Sequence, residues 1–267
     1  MKIVFARMLF AGLTGSSVLT AQVSAPDSDS TQPTPSQQPV PQNQRPVSLG
    51  KLIPNIVDDQ SKIWLFPARL NKKRNWIPTA IILGTTAALI AADSHDAPWF
   101  RNTSTFSGFN SIFTGNATAI GTAIVPASLY ATGLISKDAK MQGTALLAGG
   151  AVADSEILAF VLKDALKRVR PASLSPGANF SDTWFESRGS LLSGTGGMPS
   201  GHAIAAFSVA TIVARRYGNH RWVPYVSYGM AALVGFSRLT LSAHFASDVF
   251  VGAALGYSVS RFAVLQQ

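Results

Sequence analysis

Cysteine is absent from this 267-residue chain. That excludes disulfides and thiolate metal sites, and it lets the protein work in an oxidising compartment without mispairing. Charge is also scarce: Asp, Glu, Lys and Arg make up 13% of the residues, against roughly a quarter in ordinary soluble domains. Residues 102–136 hold no charged side chain at all. So little charge suits lipid, or an unusually apolar helical core. Acid is scarcer than base, and the net charge of +9 suits an anionic partner such as a membrane surface, a nucleic acid or a phosphorylated substrate. Nucleic acid is disfavoured, because the basic residues are dispersed in small groups without aromatic interleaving or zinc-finger spacing. Period-two alternation bounded by hairpin turns is missing too, which predicts an all-α domain.

Large apolar residues are nearly missing from residues 26–47, which are dense in Pro, Gln and Ser. Such a stretch cannot bury enough surface to offset its ordering entropy and is expected to be a disordered tether. Before it, residues 1–25 read as a secretory signal. Lys2 and Arg7 precede a short apolar stretch, and small residues follow at Leu19-Thr20-Ala21 or Val23-Ser24-Ala25. An uncleaved anchor is the alternative, and the apolar run is short for a span. Residues 48–75, with Trp64, Leu65 and Phe66, are expected to pack on the domain as a short helix and turn. Residues 76–267 form the main domain, a bundle of about six core helices at 77–92, 115–135, 141–168, 201–217, 222–236 and 245–264.

The individual apolar runs mostly fall short of the roughly 20 residues that a bilayer requires. Basic clusters at 72–74, 137–140 and 215–221 would all fall on the cytoplasmic side of six alternating spans by the positive-inside rule. A cleaved signal, however, delivers the tether and Lys72 to the outside. Membrane-spanning and soluble readings therefore both stand at this point.

Three polar groups interrupt the apolar helices. In "KDALKRVRP", Lys163 and Arg170 are seven residues apart, nearly on one helical face, and Pro171 ends the helix. In "GGMPSGHA", Ser200 caps the helix that begins near Gly201; the missing Cβ at Gly201 lets backbone approach a ligand, and free amides at that terminus form an anion site. In "SRLTLSAHFASD", His244 and Asp248 are four apart. On a helix the carboxylate accepts a hydrogen bond from one imidazole nitrogen and leaves the other free to attack. Three cations, a helix N-terminus, two histidines and one carboxylate are the inventory for gripping a phosphate dianion and transferring it.

Lys163 with Arg170-Pro171, then Pro199-Ser200-Gly201-His202, then Ser237-Arg238 with His244 and Asp248, resemble the complete three-part signature of the type 2 phosphatidic acid phosphatase and vanadium haloperoxidase superfamily, over roughly residues 76–265. The resemblance implies an all-α helical bundle in which Lys163, Arg170 and Arg238 neutralise the phosphoryl oxygens. Ser200 and the Gly201 amide donate to those oxygens. His244 attacks phosphorus to give a phosphohistidine, Asp248 orients it, and His202 protonates the leaving alkoxide. The family needs no metal for phosphatase work, so no metal and no other cofactor is expected.

The function this implies is a phosphatase exported to the cell envelope and facing the periplasm or exterior. Its substrate is a phosphorylated lipid or polyprenyl diphosphate, or a small diffusible phosphomonoester if the protein is a soluble periplasmic acid phosphatase. The low charge content tips the choice toward the membrane-associated lipid enzyme. A vanadate-dependent haloperoxidase and a non-catalytic lipid-binding membrane protein are less favoured. The first usually carries additional helices, and the second does not explain an intact motif set. Outside the motifs, His95, between Asp93 and Asp96, is expected in a solvated loop, and His220 in a basic one. Asp154 and Glu156 are expected to pair structurally rather than line the substrate pocket. Trp184 and Phe185, in the connection between the first two motifs, are either a lid over the leaving group or an anchor for that loop.

Overall fold

The computed structural model describes residues 45–70, 73–186 and 194–265. The expected signal and most of the expected tether lie outside the described residues. Asn43–Gln267 form one compact unit. Among the described residues there are eight α-helices and no strand: α1 (Leu52–Trp64), α2 (Lys73–Asn102), α3 (Ser107–Ile112), α4 (Gly115–Ile135), α5 (Ala139–Leu166), α6 (Gly201–Arg216), α7 (Trp222–Thr240) and α8 (Ala246–Val259). The six expected core helices correspond to α2 and α4 to α8, and the expected N-terminal packing segment is α1 with a short 3-10 turn on either side.

Three boundaries differ in ways that matter for the site. α2 continues past residue 92 to Asn102, so the stretch around His95 is helical and not a loop. α7 continues to Thr240 and carries Ser237 and Arg238 on its last turn. α5 stops at Leu166, because Lys167 adopts a left-handed conformation (φ 42°, ψ 37°) and its N–H bonds back to the Lys163 carbonyl at 2.9 Å. Arg170 is then extended (ψ 147°), as the following proline requires.

The buried centre of the bundle is α6, packed between α5, α7 and α8. Its alanines at 203, 206, 210 and 214 are buried and let neighbours come close. α8 comes closest. A Cβ on Gly252 would stand 2.6 Å from the Ser200 carbonyl oxygen, and one on Gly256 would stand 2.4 Å from that of Ile204. Only glycine fits at either place, so α8 rests directly on the backbone of α6 in the small-xxx-small manner of membrane helices. Leu147, Ala148 and Ala151 of α5, Val209 and Ile212 of α6 and Val259 of α8 form the main apolar cluster.

The outer helices have a different surface. α2, α4 and α5 are long and apolar enough to cross a membrane by length and composition. The polar residues that shorten their apolar runs in the sequence are mostly Ser, Thr and Asn, which a continuous helix accommodates by bonding back to its own carbonyls. Thr118 and Thr122 do so. Only 6% of the apolar window of α2 and 11% of that of α4 is buried within the protein, against 44% for α5. Ile77, Ile81 and Leu83 on α2, and Ile120, Ile124 and Ile135 on α4, are exposed. A contiguous apolar surface of this kind marks contact with lipid or with another protein.

The helices alternate in direction, and charge sorts to the two ends. α6, α8 and α4 begin at the end where α5 and α7 finish, and this end carries all three motifs. At the other end α6 finishes in Arg215 and Arg216, Arg216 bonds to Thr144 in the second turn of α5 at 3.2 Å, and Lys140 stands 4.7 Å over the Tyr217 ring. The basic clusters at 137–140 and 215–221 thus share the end remote from the motifs.

Candidate active site

The first wall of the site is the chain around the end of α5. Lys163 is half-buried on the last turn of that helix, and Arg170 is exposed in the extended segment beyond it. Because α5 stops at Leu166, the shared helical face expected from their seven-residue spacing does not exist. The turn at Lys167 and the returning segment 194–200 bring them to one place instead. Gly197 donates its N–H to the Arg168 carbonyl at 2.6 Å. A Cβ on Gly196 would lie 2.4 Å from the Lys163 carbonyl oxygen, and one on Gly197 would lie 3.3 Å from Cγ of Arg170. Side chains here would push the strand off the α5 terminus.

That strand leads through a cis Met198–Pro199 peptide into α6. Ser200 occupies the N-cap position, but its side chain makes no capping bond; Oγ is fully buried with no partner among the described residues. The expected side-chain cap is therefore not formed. The backbone N–H of Ser200 is held by the Asp248 carbonyl at 3.0 Å, which leaves the hydroxyl uncommitted. A Cβ on Gly201 would stand 3.1 Å from both a Glu156 carboxylate oxygen and Lys163 Nζ, so these two side chains meet over the start of α6. Glu156 thus lines the site, contrary to the structural role expected for it. Asp154 does have that role, bound by Gln60 of α1 at 2.9 Å.

His202, one residue into α6, donates from Nε2 to the Gly115 carbonyl at 3.0 Å, with Nδ1 left open. Burial, together with the Arg238 guanidinium and further charge from His244 and Lys163, lowers its pKa from 6.5 to about 4. Arg238 is buried on the last turn of α7. It donates to Ser237 Oγ at 2.8 and 3.1 Å and to the Phe113 carbonyl at 2.9 Å. Half-buried Phe113 stacks on Phe109 with ring centroids 4.5 Å apart, and Phe109, Phe106 and Phe100 all pack on Phe236. An aromatic surface therefore adjoins the cationic one.

His244 sits in the turn between α7 and α8 and is buried. α8 does not start until Ala246, so the expected hydrogen bond between His244 and Asp248 along a helix is not made. Nδ1 bonds to the Gly197 carbonyl at 2.7 Å, while Asp248 Oδ2 stands 3.6 Å away, an electrostatic neighbour. Burial pushes the His244 pKa below its ordinary 6.5 and Asp248 works against that shift. Nε2 is the nitrogen left for chemistry.

Asp248 is fixed from behind by a group that sequence reasoning missed. Arg168, buried between the motif residues Lys163 and Arg170, bonds Asp248 Oδ1 at 2.7 Å, Ser247 Oγ at 2.6 Å and Asp93 Oδ2 of α2 at 2.7 Å. Asp93 in turn accepts from the Ser247 N–H at 3.2 Å and hydroxyl at 2.5 Å. Asp248 Oδ2 accepts the Phe245 N–H at 2.9 Å. The guanidinium lies between the rings of Phe245 (4.0 Å) and Trp184 (4.5 Å). Trp184 is thus an anchor, whereas Phe185 is exposed. The one signal available in the sequence was Asp93, a carboxylate following the apolar run of α2. His95 is exposed on α2 and His220 is exposed in the turn before α7. Among the described residues no group of three His, Asp or Glu side chains is placed to hold a metal.

A 64-residue stretch is 42% identical to lipid A 1-phosphatase of Porphyromonas gingivalis; it covers 24% of this chain and 14% of that one. The match therefore spans about one seventh of the length of that curated relative. The crystal structure of a transmembrane PAP2-type phosphatidylglycerolphosphate phosphatase from Bacillus subtilis overlays with a TM-score of 0.40 at 20% identity, over 80% of this chain and 92% of that one. The family model of the PAP2 superfamily matches residues 144–267. That region carries Lys163, Arg170, Ser200, Gly201, His202, Arg238, His244 and Asp248, and it is there that the chain matches the PAP2 superfamily.

Proposed function

We propose that the chain is a metal-independent phosphatase that hydrolyses a lipid phosphate monoester through a phosphohistidine. The observation that carries the reading is the convergence, beside His244, of Lys163, Arg170, Arg238, the open N-terminus of α6 and a buried Ser200 hydroxyl with no partner. A buried hydroxyl left unbonded costs about 1–3 kcal/mol, which a phosphoryl oxygen accepting its proton would offset. Phosphoryl transfer asks mainly for positioning and charge stabilisation, and three cations with aimed amides supply both.

In the proposed reaction His244 Nε2 attacks phosphorus. The N–P bond forms as the P–O bond to the leaving group breaks, and the electron pair departs on the alkoxide oxygen. His202 gives that oxygen a proton. Burial first, and the Arg238, His244 and Lys163 charges after it, hold the His202 pKa near 4; a phosphate dianion seated among those cations offsets their field and favours the protonated ring, so His202 takes up its proton together with the substrate. Water then attacks phosphorus, His202 takes the proton from it, the N–P bond breaks and inorganic phosphate leaves. The Gly197 carbonyl holds the ring, and Asp248 balances the positive charge that develops on His244.

A lipid leaving group is supported by the exposed apolar faces of α2 and α4, by the aromatic surface beside Arg238, and by a relative whose name gives lipid A as its substrate. With the basic end of the bundle in the cytoplasm, the site faces the periplasm or exterior. The test is rapid denaturation during turnover of radiolabelled substrate. Acid-labile, base-stable label is expected on the protein, more of it in His202→Ala with a good leaving group and none in His244→Ala. Label that persists in His244→Ala would sink the assignment.

A further inference from the structure

A carboxylate stands among the cations that are to grip the phosphate. Glu156 is half-buried on α5, two turns before Lys163 in the same unbroken helix and so nearly on the same face. Its oxygens lie 3.1 and 3.3 Å from the place a Cβ on Gly201 would take, and Lys163 Nζ lies 3.1 Å from that same place. The charges that bear on Lys163 are this carboxylate and the Arg170 guanidinium. Among the described residues Glu156 accepts no hydrogen bond, and Lys163 is the charge that bears on it. A partly buried carboxylate without a bonded donor is costly in an apolar helix. It also weakens the pull of the neighbouring cations on any anion, so its presence needs a use.

We propose that Glu156 determines specificity: it matches the site to a phosphate monoester and disfavours a diphosphate. The inference rests on the phosphatase reading above and names its substrate class more narrowly. Arg168 is already engaged by Asp93 and Asp248 behind His244, which leaves Lys163, Arg170 and Arg238 for the phosphate. Glu156 offsets one of these charges, and the remainder balances a monoester, whose phosphoryl group carries about two negative charges at neutral pH. A diphosphate ester brings about one more, and its second phosphate has to settle near the carboxylate at the start of α6. Like charges brought together are a common means of rejecting a wrong partner.

The test compares the full chain with Glu156→Gln and Glu156→Asp, each in a zwitterionic detergent, on a short-chain prenyl monophosphate and the corresponding prenyl diphosphate. The unaltered chain is expected to favour the monophosphate by kcat/KM. Glu156→Gln should shift the ratio toward the diphosphate at least threefold, chiefly through KM, while Glu156→Asp keeps the charge and should stay within twofold of the unaltered chain. Glu156→Ala gives the same shift should the glutamine variant not fold. An unaltered chain that prefers the diphosphate, a ratio that Gln moves less than twofold, or an Asp variant that moves it as far as Gln would each overturn the proposal. A second measurement needs no turnover: inorganic phosphate and pyrophosphate are titrated calorimetrically into the His244→Ala chain with and without Glu156→Gln. Pyrophosphate should gain at least threefold more affinity than phosphate; equal gains overturn the selectivity. A chain that hydrolyses neither ester, yet shows the expected gain for pyrophosphate, refutes the phosphatase reading and keeps the role of Glu156 in choosing the anion.

Discussion

Replacing Arg168 with methionine tests whether Asp248 is held in place by charge. Methionine approximates the length of the side chain and keeps its contact with Phe245 and Trp184, but it removes the cation shared by two carboxylates. Both are shielded from solvent, Asp93 at 1% exposure and Asp248 at 0%, and each lies 2.7 Å from the guanidinium. Breaking a buried ion pair by deleting one partner typically costs about 3–5 kcal/mol. Two carboxylates lose their partner here, so the upper part of that range is expected. Against a typical total of about 5–15 kcal/mol the protein still folds, with a lower unfolding midpoint in detergent. The readout is a double-mutant cycle. Asp93→Asn in the wild-type background removes one carboxylate from Arg168 and destabilises. In the Arg168→Met background it removes an orphaned charge and restores about 1–3 kcal/mol. Phosphatase kcat should fall in Arg168→Met with KM little changed, because Asp248 touches His244 and not the phosphate oxygens. A midpoint within 0.5 kcal/mol of wild type, or strictly additive effects of the two substitutions, would refute the reasoning.

Two further expectations concern the start of α6. Ser200→Ala should raise the unfolding midpoint of the substrate-free protein, since Oγ makes no capping bond and its buried hydroxyl has no partner among the described residues, yet lower kcat/KM by an order of magnitude or more; a stability loss of about 1 kcal/mol would instead reveal a working cap. Stability should also fall with acid: the folded chain holds His202 at about 4 and His244 below 6.5, so between those values the unfolded chain binds more protons. Denaturation curves should show full stability above pH 6.5, a decline as pH falls toward 4, and a shallower decline in His202→Gln.

How much of this was legible in sequence depended on range. α4 matches its expected span of 115–135 residue for residue, because Thr114 caps it at Ala117 and no charged residue interrupts it before Lys137. The motif residues lie at one end of the bundle, on the end of α5, the start of α6 and the α7–α8 turn. The expectations that failed were those built on a helical rise through a point where the helix stops. Lys163 and Arg170 do not share a helical face because Lys167 turns the chain, and His244 does not bond Asp248 along α8 because α8 begins two residues later. In both places a backbone carbonyl or strand crossing from elsewhere supplies what local spacing was expected to give: Gly197 orients His244 and packs on Arg170. Arg168 was passed over as one more basic residue near a helix end, since its partners lie 75 and 80 residues away in the chain.

The reach of Arg168 to Asp93 also says what would have to travel together if this active site were moved. The family match begins at residue 144, but one of the two carboxylates that pair with Arg168, Asp93, comes from α2, well before that boundary. A chimera joining residues 144–267 to the first half of a relative would inherit every motif residue and still lose one of the two carboxylates that hold Arg168 behind Asp248, unless the incoming second helix brought its own acid to the same turn. For anyone recombining such chains, the seam belongs before α2 and not at the edge of the recognised region.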